Sequence, residues 1–167
     1  MNETPVKMVK VAIALGSNIG DRMQALRTAV DGLAPYIDIV ARSPVYETAP
    51  AYVTDQPPFL NAALVGETKL GPLILLRAVK DLENDLGRMP TFHYGPRAID
   101  IDIIFYGDEI MNEAEITIPH PRMAEREFVL RPLNDIAPGW IHPENGKTVA
   151  EMLAAVEGQS PRYDGTI

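Results

Sequence analysis

The stretch RAIDIDIIFY, residues 97–106, has the alternating apolar and polar pattern of a β-strand. Because successive side chains of a strand point to opposite faces of a sheet, Asp100 and Asp102 are predicted to share one face. The apolar residues are predicted to share the other face: Ile99, Ile101, Ile103 and Phe105. The stretch therefore predicts a strand with one core-facing side and one acidic side.

Strand and helix patterns alternate along the chain before this stretch. Strands are predicted over residues 8–15, 37–47 (with a break at Ser43-Pro44) and 59–68, and helices from about Asp21 to Pro35 and from Pro72 to Gly87. The resulting order β-α-β-β-α-β is the split βαβ pattern. It predicts an α+β sandwich with a largely antiparallel sheet.

The remaining chain is proline-rich, with short helices. Thr148 and Glu151 have the spacing of a helix capping box. A chain of 167 residues is long enough for one domain and short for two. We therefore expect a single domain over residues 1–160 and a mobile tail over 161–167.

The net charge of −8 argues against a broad nucleic-acid or anionic-membrane surface, because phosphate-backbone binding needs a basic face. A small anionic ligand remains compatible with it, since a few arginines and bound cations can reverse the sign of one cleft. The chain has no cysteine, and its first ten residues show no signal-peptide pattern. We expect a cytoplasmic protein with no nucleic-acid or membrane partner.

The paired carboxylates are the strongest chemical signal. The Cα atoms of Asp100 and Asp102 are expected roughly 6.6 Å apart, two strand steps. Carboxylates at that distance can bind one hard cation, or two cations about 3.5–4 Å apart. The alternative is a solvent-facing strand with two surface acids, but aspartate is disfavoured in strands without such compensation.

Basic groups suited to phosphate flank this pair. Arg97 lies on the other face of a regular strand, so it reaches the same site only if Gly95-Pro96 delays the strand start. Taken alone, each arginine is ordinarily a solvated surface charge, and His120 is ordinarily a hydrogen-bonded structural histidine. Together they can clamp a polyphosphate chain: Arg88, Arg97, His120, Arg122 and Arg126.

Other residues are ambiguous on the pattern alone. Glu83 falls on the apolar stripe of its helix, where a carboxylate needs a hydrogen-bond or cation partner, and a site role and a structural role are equally open. Phe59 and Phe128 can stack on a flat heteroaromatic ring or simply belong to the core. Asn61 lies on the same predicted strand as Phe59.

Six segments, in this order, resemble the 6-hydroxymethyl-7,8-dihydropterin pyrophosphokinase family of folate biosynthesis. They cover most of the chain, from Val11 to about Pro143. They are ALGSNIGD at 14–21, YETAP at 46–50, FLNA at 59–62, LENDLGR at 82–88, GPRAIDIDI at 95–103, and IPHPRM at 118–123 with Arg126 and Phe128.

The resemblance implies a ferredoxin-like fold and a magnesium-dependent diphosphotransferase. The expected reaction moves the terminal pyrophosphoryl group of ATP to the hydroxymethyl oxygen of the reduced pterin and releases AMP. Two Mg²⁺ ions are implied on Asp100 and Asp102, with Asp100 also beside the pterin. The family suggests a monomer acting on these two small molecules.

The same resemblance assigns the remaining positions. Catalytic roles fall on Arg88, Arg97, Asp100 and Asp102. ATP-binding positions are Glu83, Arg88, Arg97, Ile103, Thr117, His120 and Arg126. Pterin-binding positions are Thr48, Ala49, Ala51, Phe59, Asn61, Asp100 and Phe128.

One segment departs from the family pattern. Many members carry another arginine and an Arg-Trp pair where residues 89–94 read MPTFHY. A binding protein without catalysis is therefore one alternative, and a metal-dependent phosphodiesterase is another. AMP release that requires the pterin separates the transferase from both.

Overall fold

The computed structural model describes residues 7–49, 55–86 and 98–167. Its main sheet has the strand order β5-β1-β4-β3-β8, with β2 also paired to β4, and the pairings are antiparallel. The strands are β1 (Val9–Ser17), β2 (Asp38–Arg42), β3 (Val45–Thr48), β4 (Phe59–Thr68), β5 (Asp100–Tyr106) and β8 (Arg162–Tyr163). A small second sheet pairs β6 (Met111–Asn112) with β7 (Thr117–Ile118).

Helices cover both faces of the sheet. Helices α1 (Arg22–Leu33) and α2 (Pro72–Asp85) pack on one face, and α3 (Glu127–Ile136) and α4 (Val149–Ala155) pack on the other. The first core cluster includes Ile13, Leu15, Leu26, Leu33, Leu64, Leu75 and Val79. The second core cluster includes Ala12, Ala63, Phe105, Met123, Leu130 and Leu133.

This architecture confirms the predicted α+β sandwich. The order of the four principal strands, with β1 and β4 in the centre, is that of the split βαβ unit. The break predicted at Ser43-Pro44 separates β2 from β3, and the capping box at Thr148 starts α4. Helix α2 begins at Pro72, where a missing N–H costs nothing.

A β-bulge in β5 corrects one detail of the predicted strand. Ala12 pairs with Phe105 and Ile13 pairs with Ile103, so Ile104 is the extra residue. The extra residue reverses the alternation of faces beyond it. Ile103 therefore packs in the first core cluster and Phe105 in the second, and the prediction that they share a face was wrong.

The C-terminal residues form an edge strand. Val45 pairs with Tyr163 and Tyr46 with Arg162, so β8 extends the sheet beyond β3. Arg27 donates a 2.9 Å hydrogen bond to the carbonyl oxygen of Thr166, and Arg42 donates one of 3.2 Å to that of Ile167. The sequence pattern contained no signal for this strand, because its register depends on β3, more than a hundred positions earlier.

Candidate active site

The two aspartates lie at one end of β5, on the face of the second core cluster. Asp102 pairs with Ala14 and Asp100 with Gly16 in the register of β5 with β1. Ala14 packs against the second core cluster, and paired residues of an antiparallel ladder project to the same side. Both carboxylates are partly buried. The predicted common face of the pair is confirmed.

A glycine separates the aspartates from the polar groups of β4. Gly16 pairs with Asp100 on one side and with Asn61 on the other. A Cβ atom at Gly16 would lie 3.1 Å from Asn61 Oδ1 and 3.5 Å from Phe59 Cδ1. The missing side chain therefore leaves space on the sheet between an acid and an amide, next to an aromatic ring.

The next strand continues this polar row. Tyr46 pairs with Asn61, and Thr48 pairs with Phe59. Asn61 Nδ2 donates a 2.7 Å hydrogen bond to Thr48 Oγ1, and both residues are buried. A buried amide held in this way has a fixed orientation and further hydrogen-bonding capacity. This corner can therefore recognise the polar edge of a flat ring that rests on Phe59.

Glu83 is completely buried beneath the aspartates. Its Oε2 accepts a 3.0 Å hydrogen bond from the backbone N–H of Ile101, and its Oε1 lies 3.1 Å from Lys80 Nζ. The sequence left a site role and a structural role for Glu83 equally open. The structure favours the structural role, because the carboxylate has a hydrogen-bond partner in β5. It also places a third carboxyl group near the aspartates.

The electrostatics of Asp102 favour a bound cation. Burial, followed by the charge of Asp100, raises the pKa of Asp102 to about 7. Lys80 and Arg126 lower this pKa, and Glu83 raises it. A carboxyl group that is hard to ionise for these reasons is stabilised as an anion when a divalent cation lies beside it.

The donor set fits magnesium better than zinc. Among the described residues, no group of three or more histidines, aspartates or glutamates is placed to hold a metal ion. Mg²⁺ is usually held by one or two carboxylates together with substrate phosphates and water, whereas zinc sites use three or four protein ligands. Asp100 and Asp102 are the residues that would hold such an ion.

His120 reaches the open edge of β5. Its backbone N–H donates a 3.0 Å hydrogen bond to the carbonyl oxygen of Ile104, and its Nδ1 accepts one of 3.3 Å from the N–H of Arg122. Burial, reinforced by the Arg126 charge, lowers the pKa of His120 to about 4. The neutral ring therefore carries its proton on Nε2, which is a donor for a phosphate oxygen.

Arg126 and Phe128 lie at the start of α3. The guanidinium carbon of Arg126 is 5.6 Å from the centroid of the Phe128 ring. Both side chains are partly buried, and Phe128 packs against the second core cluster. Arg126 contributes to the electrostatics of both Asp102 and His120. One helix start thus brings a cation and an aromatic ring to the face of the aspartates.

The other predicted site residues fall into two groups. Ala49 is exposed, Thr117 is partly buried in β7, and Ile103 directs its side chain into the first core cluster. A contact between Ile103 and a ligand on the acidic face would therefore have to use its backbone. The second group lies outside the described residues: Ala51, Arg88 and Arg97.

Two features of the site were not predicted from the sequence, the space at Gly16 and the ion pair of Lys80 with Glu83. Gly16 belongs to the ALGSNIGD segment, and a glycine inside a strand is a usual sign of close approach by another group. Lys80 precedes Glu83 by one helical turn, a spacing that predicts an ion pair. Both signals were present in the sequence, but neither indicates a site until the strand register is known.

The family profile of 7,8-dihydro-6-hydroxymethylpterin-pyrophosphokinase (HPPK) matches residues 12–138. The 2-amino-4-hydroxy-6-hydroxymethyldihydropteridine pyrophosphokinase of Aquifex aeolicus is 39% identical over 145 residues, which are 87% of this chain and 91% of the relative. The protein of the same name from Synechocystis is 38% identical over 87% of this chain and 75% of its own.

Longer proteins also match. The mitochondrial folate synthesis bifunctional protein of Pisum sativum is 50% identical over 128 residues, which are 76% of this chain and 25% of the relative. The chain thus spans about a quarter of the length of such relatives. The crystal structure of wild-type Plasmodium falciparum HPPK-DHPS has a TM-score of 0.74 at 17% identity, over 89% of this chain and 44% of that one, which supports the fold.

None of the helices in the described parts of the chain combines the length and apolar content that a membrane crossing requires.

The profile match covers more than half of the chain, and the Aquifex relative is matched over nearly its whole length. The resemblance drawn from six sequence segments is therefore confirmed, and the chain belongs to the 7,8-dihydro-6-hydroxymethylpterin-pyrophosphokinase family.

Proposed function

We propose that this protein transfers the pyrophosphoryl group of ATP to the hydroxymethyl oxygen of 6-hydroxymethyl-7,8-dihydropterin and releases AMP. The observation that carries the proposal is the row Asp100, Gly16, Asn61 across three adjacent strands. It puts a cation-binding acid and a ring-binding amide on one face, with open space at the glycine between them. A transferase needs both substrates held side by side in this way.

The pterin half of the site is formed by β3, β4 and α3. Asn61, oriented by Thr48, supplies hydrogen bonds to the ring edge. Phe59 and Phe128 supply apolar faces for the ring. Asp100, at the other end of the row, is assigned by resemblance both to the pterin and to the metal. Ala49 and Ala51 complete the proposed pterin contacts through the chain that follows β3.

The ATP half is formed along β5 and the segment that leads into α3. Neutral His120 donates a hydrogen bond from Nε2, and Arg126 adds a permanent positive charge. Glu83, Ile103 and Thr117 border this half, and Arg88 and Arg97 are assigned to it by resemblance. Diphosphoryl transfer asks little covalent chemistry of a protein, so positioning and charge neutralisation are what these side chains contribute.

The proposal includes two Mg²⁺ ions held by Asp100 and Asp102. Asp100 and Asp102 would hold the ions, which would supply charge neutralisation for the transferring group. We also expect the irregular stretch 88–94 to act as a lid over the nucleotide; these residues lie outside the described ones, so this stays a prediction.

We also propose that the protein acts as a monomer in the cytoplasm on these two small molecules. The net charge of −8 supports the expectation that it has no nucleic-acid or membrane partner. Two relatives of the longer class carry the word mitochondrial in their names. Gel filtration with light scattering tests the oligomeric state, and imaging of the tagged protein in its own cell tests the location.

The decisive experiment measures AMP. The protein is incubated with Mg²⁺ and ATP, with and without 6-hydroxymethyl-7,8-dihydropterin. AMP that forms only with the pterin, together with a diphosphorylated pterin, supports the proposal. AMP formed from ATP alone indicates a phosphodiesterase, and binding of both ligands without AMP indicates a protein that has lost catalysis.

A further inference from the structure

The residues that follow the family match include a segment that forms hydrogen bonds with two elements of the candidate active site, α3 and β3. We call Gly158–Tyr163 the C-terminal strap; the family profile ends at residue 138. At one end of the strap, Ser160 contacts the first residue of α3. Its N–H donates a 3.0 Å hydrogen bond to Glu127 Oε1, and its hydroxyl donates another to Glu127 Oε2.

Arg131 strengthens this attachment. Its Nε forms an ion pair with Glu127 Oε1, and its Nη2 donates a 3.1 Å hydrogen bond to the carbonyl oxygen of Gly158. The Glu127 side chain is only 11% exposed, so these bonds are poorly screened by water. Burial raises the pKa of Glu127, but the bonds from Ser160 and Arg131 outweigh it and hold the pKa below its ordinary value.

At its other end, the strap is a strand of the sheet. The carbonyl oxygen of Pro161 accepts a 3.0 Å hydrogen bond from the N–H of Glu47, and β8 pairs with Val45 and Tyr46. The ring of Tyr163 packs on the first core cluster and lies 5.4 Å from the guanidinium of Arg22. The strap therefore joins the start of α3 to β3.

Both joined elements carry proposed pterin contacts. Glu127 stands between Arg126 and Phe128 in the chain, and β3 ends at Thr48, which orients Asn61. Tyr46 already links β3 to α3, because its hydroxyl donates a hydrogen bond to Asp135. That link lies near the far end of α3, however, and does not fix the helix start where Phe128 lies.

We propose that Glu127 and Ser160 are positioning residues for the pterin substrate, through which the strap sets the start of α3 relative to β3. The inference rests on the proposed function. The metal-binding aspartates lie on β5, at the opposite edge of the sheet from β8. Loss of the strap contacts therefore weakens pterin binding more than it affects the chemical step, and it acts on ATP binding through Arg126 at the start of α3.

Two truncations provide a matched pair. Deletion of residues 158–167 removes the strap, whereas deletion of residues 164–167 leaves the strap and removes the contacts of Arg27 and Arg42 with the last residues and the packing of Ile167 on the first core cluster. We expect the longer deletion to raise the KM for the pterin at least about tenfold, the size expected when bonds to a carboxylate are lost. The shorter deletion leaves both KM values within about twofold.

Point variants cover the case in which the longer deletion does not fold. Ser160→Ala and Glu127→Gln each raise the KM for the pterin several-fold and the KM for ATP by less, through Arg126, while kcat changes by less than about twofold. The double variant is less severe than the product of the single effects, because both remove the same contact. Ser160→Thr, which keeps the hydroxyl, restores the pterin KM.

The outcomes separate this inference from the proposed function. If the unaltered protein forms no AMP with the pterin, the proposed function fails. If it does, and the strap variants keep the pterin KM unchanged, only the strap inference is overturned. A parallel change in kcat and in both KM values, together with a lower Tm, also overturns it, because that pattern indicates a purely structural role.

Discussion

The Glu83 carboxylate accepts a 3.0 Å hydrogen bond from the N–H of Ile101, the residue that separates Asp100 from Asp102. Within the described residues β5 is an edge strand, so this outward N–H faces no neighbouring strand there. A buried glutamate of α2 takes the place of that strand and fixes the backbone between the two proposed metal-binding residues.

Replacement of Glu83 therefore tests a structural link beneath the site. We expect Glu83→Ala to lower the free energy of unfolding by about 1–3 kcal/mol, because a buried N–H loses its acceptor. Glu83→Gln keeps an acceptor and should lose less. Urea denaturation measures both, with Asp81→Ala, an exposed acid of the same helix, as the control. Equal stability of Glu83→Ala and the unaltered protein would contradict this role.

Removal of one of the two proposed metal-binding carboxylates tests the proposed chemistry. Asp102→Asn is expected to lower kcat at least about a thousandfold, since charge stabilisation worth several kcal/mol is lost. Pterin binding, measured by calorimetry without ATP, should change little, because Asn61 and Thr48 are untouched. Asp108→Asn, an exposed acid just after the same strand, is the matched control and should behave like the unaltered protein. Substantial turnover by Asp102→Asn would refute the metal assignment.

The space at Gly16 is open to a direct test. In Gly16→Ala the new Cβ lies 3.1 Å from Asn61 Oδ1, so the amide must shift away from its position. We expect the KM for the pterin to rise about tenfold and the KM for ATP to change much less. Gly139→Ala adds the same methyl group where nothing lies within 4 Å, and it should leave both constants unchanged. The idea fails if the two variants are kinetically alike.

Part of the loss of folding stability at low pH should arise at His142, which lies far along the chain from Asp100 and Asp102. Its Nδ1 accepts hydrogen bonds of 3.2 Å from the Glu144 N–H and 3.3 Å from the Asn145 N–H. Burial lowers the pKa of His142 below its ordinary value of 6.5, although Glu144 opposes this. Below about pH 6.5 the unfolded chain therefore binds a proton that the folded chain does not, and stability falls as the pH falls.

The variant His142→Asn keeps a side-chain acceptor but cannot titrate. Between about pH 7 and about pH 5 it should lose less unfolding free energy than the unaltered protein. Chemical denaturation at several pH values measures this difference. His120 retains its own acid sensitivity of the same sign, so the variant should still show a residual slope. Identical pH dependence of the two proteins would show that His142 does not contribute.

Local patterns in the chain predicted most elements of the fold. The prolines at 44 and 72 and the capping box at Thr148 mark boundaries that the structure confirms. These signals succeed because each depends on a few neighbouring residues. The bulge at Ile104 could not be predicted in this way. It concerns the pairing of β5 with β1, about ninety positions earlier in the chain, and it sends Phe105 to the other core cluster.

The candidate site likewise has features that local sequence predicts and features that depend on tertiary structure. Asp100 and Asp102 share a face because strands alternate, and two residues in sequence suffice to establish that. The position of Gly16 between Asp100 and Asn61, and the attachment of Ser160 to Glu127, join segments that are distant in the chain. Such neighbours are fixed by strand register and by packing of the two core clusters, which only the folded chain brings about.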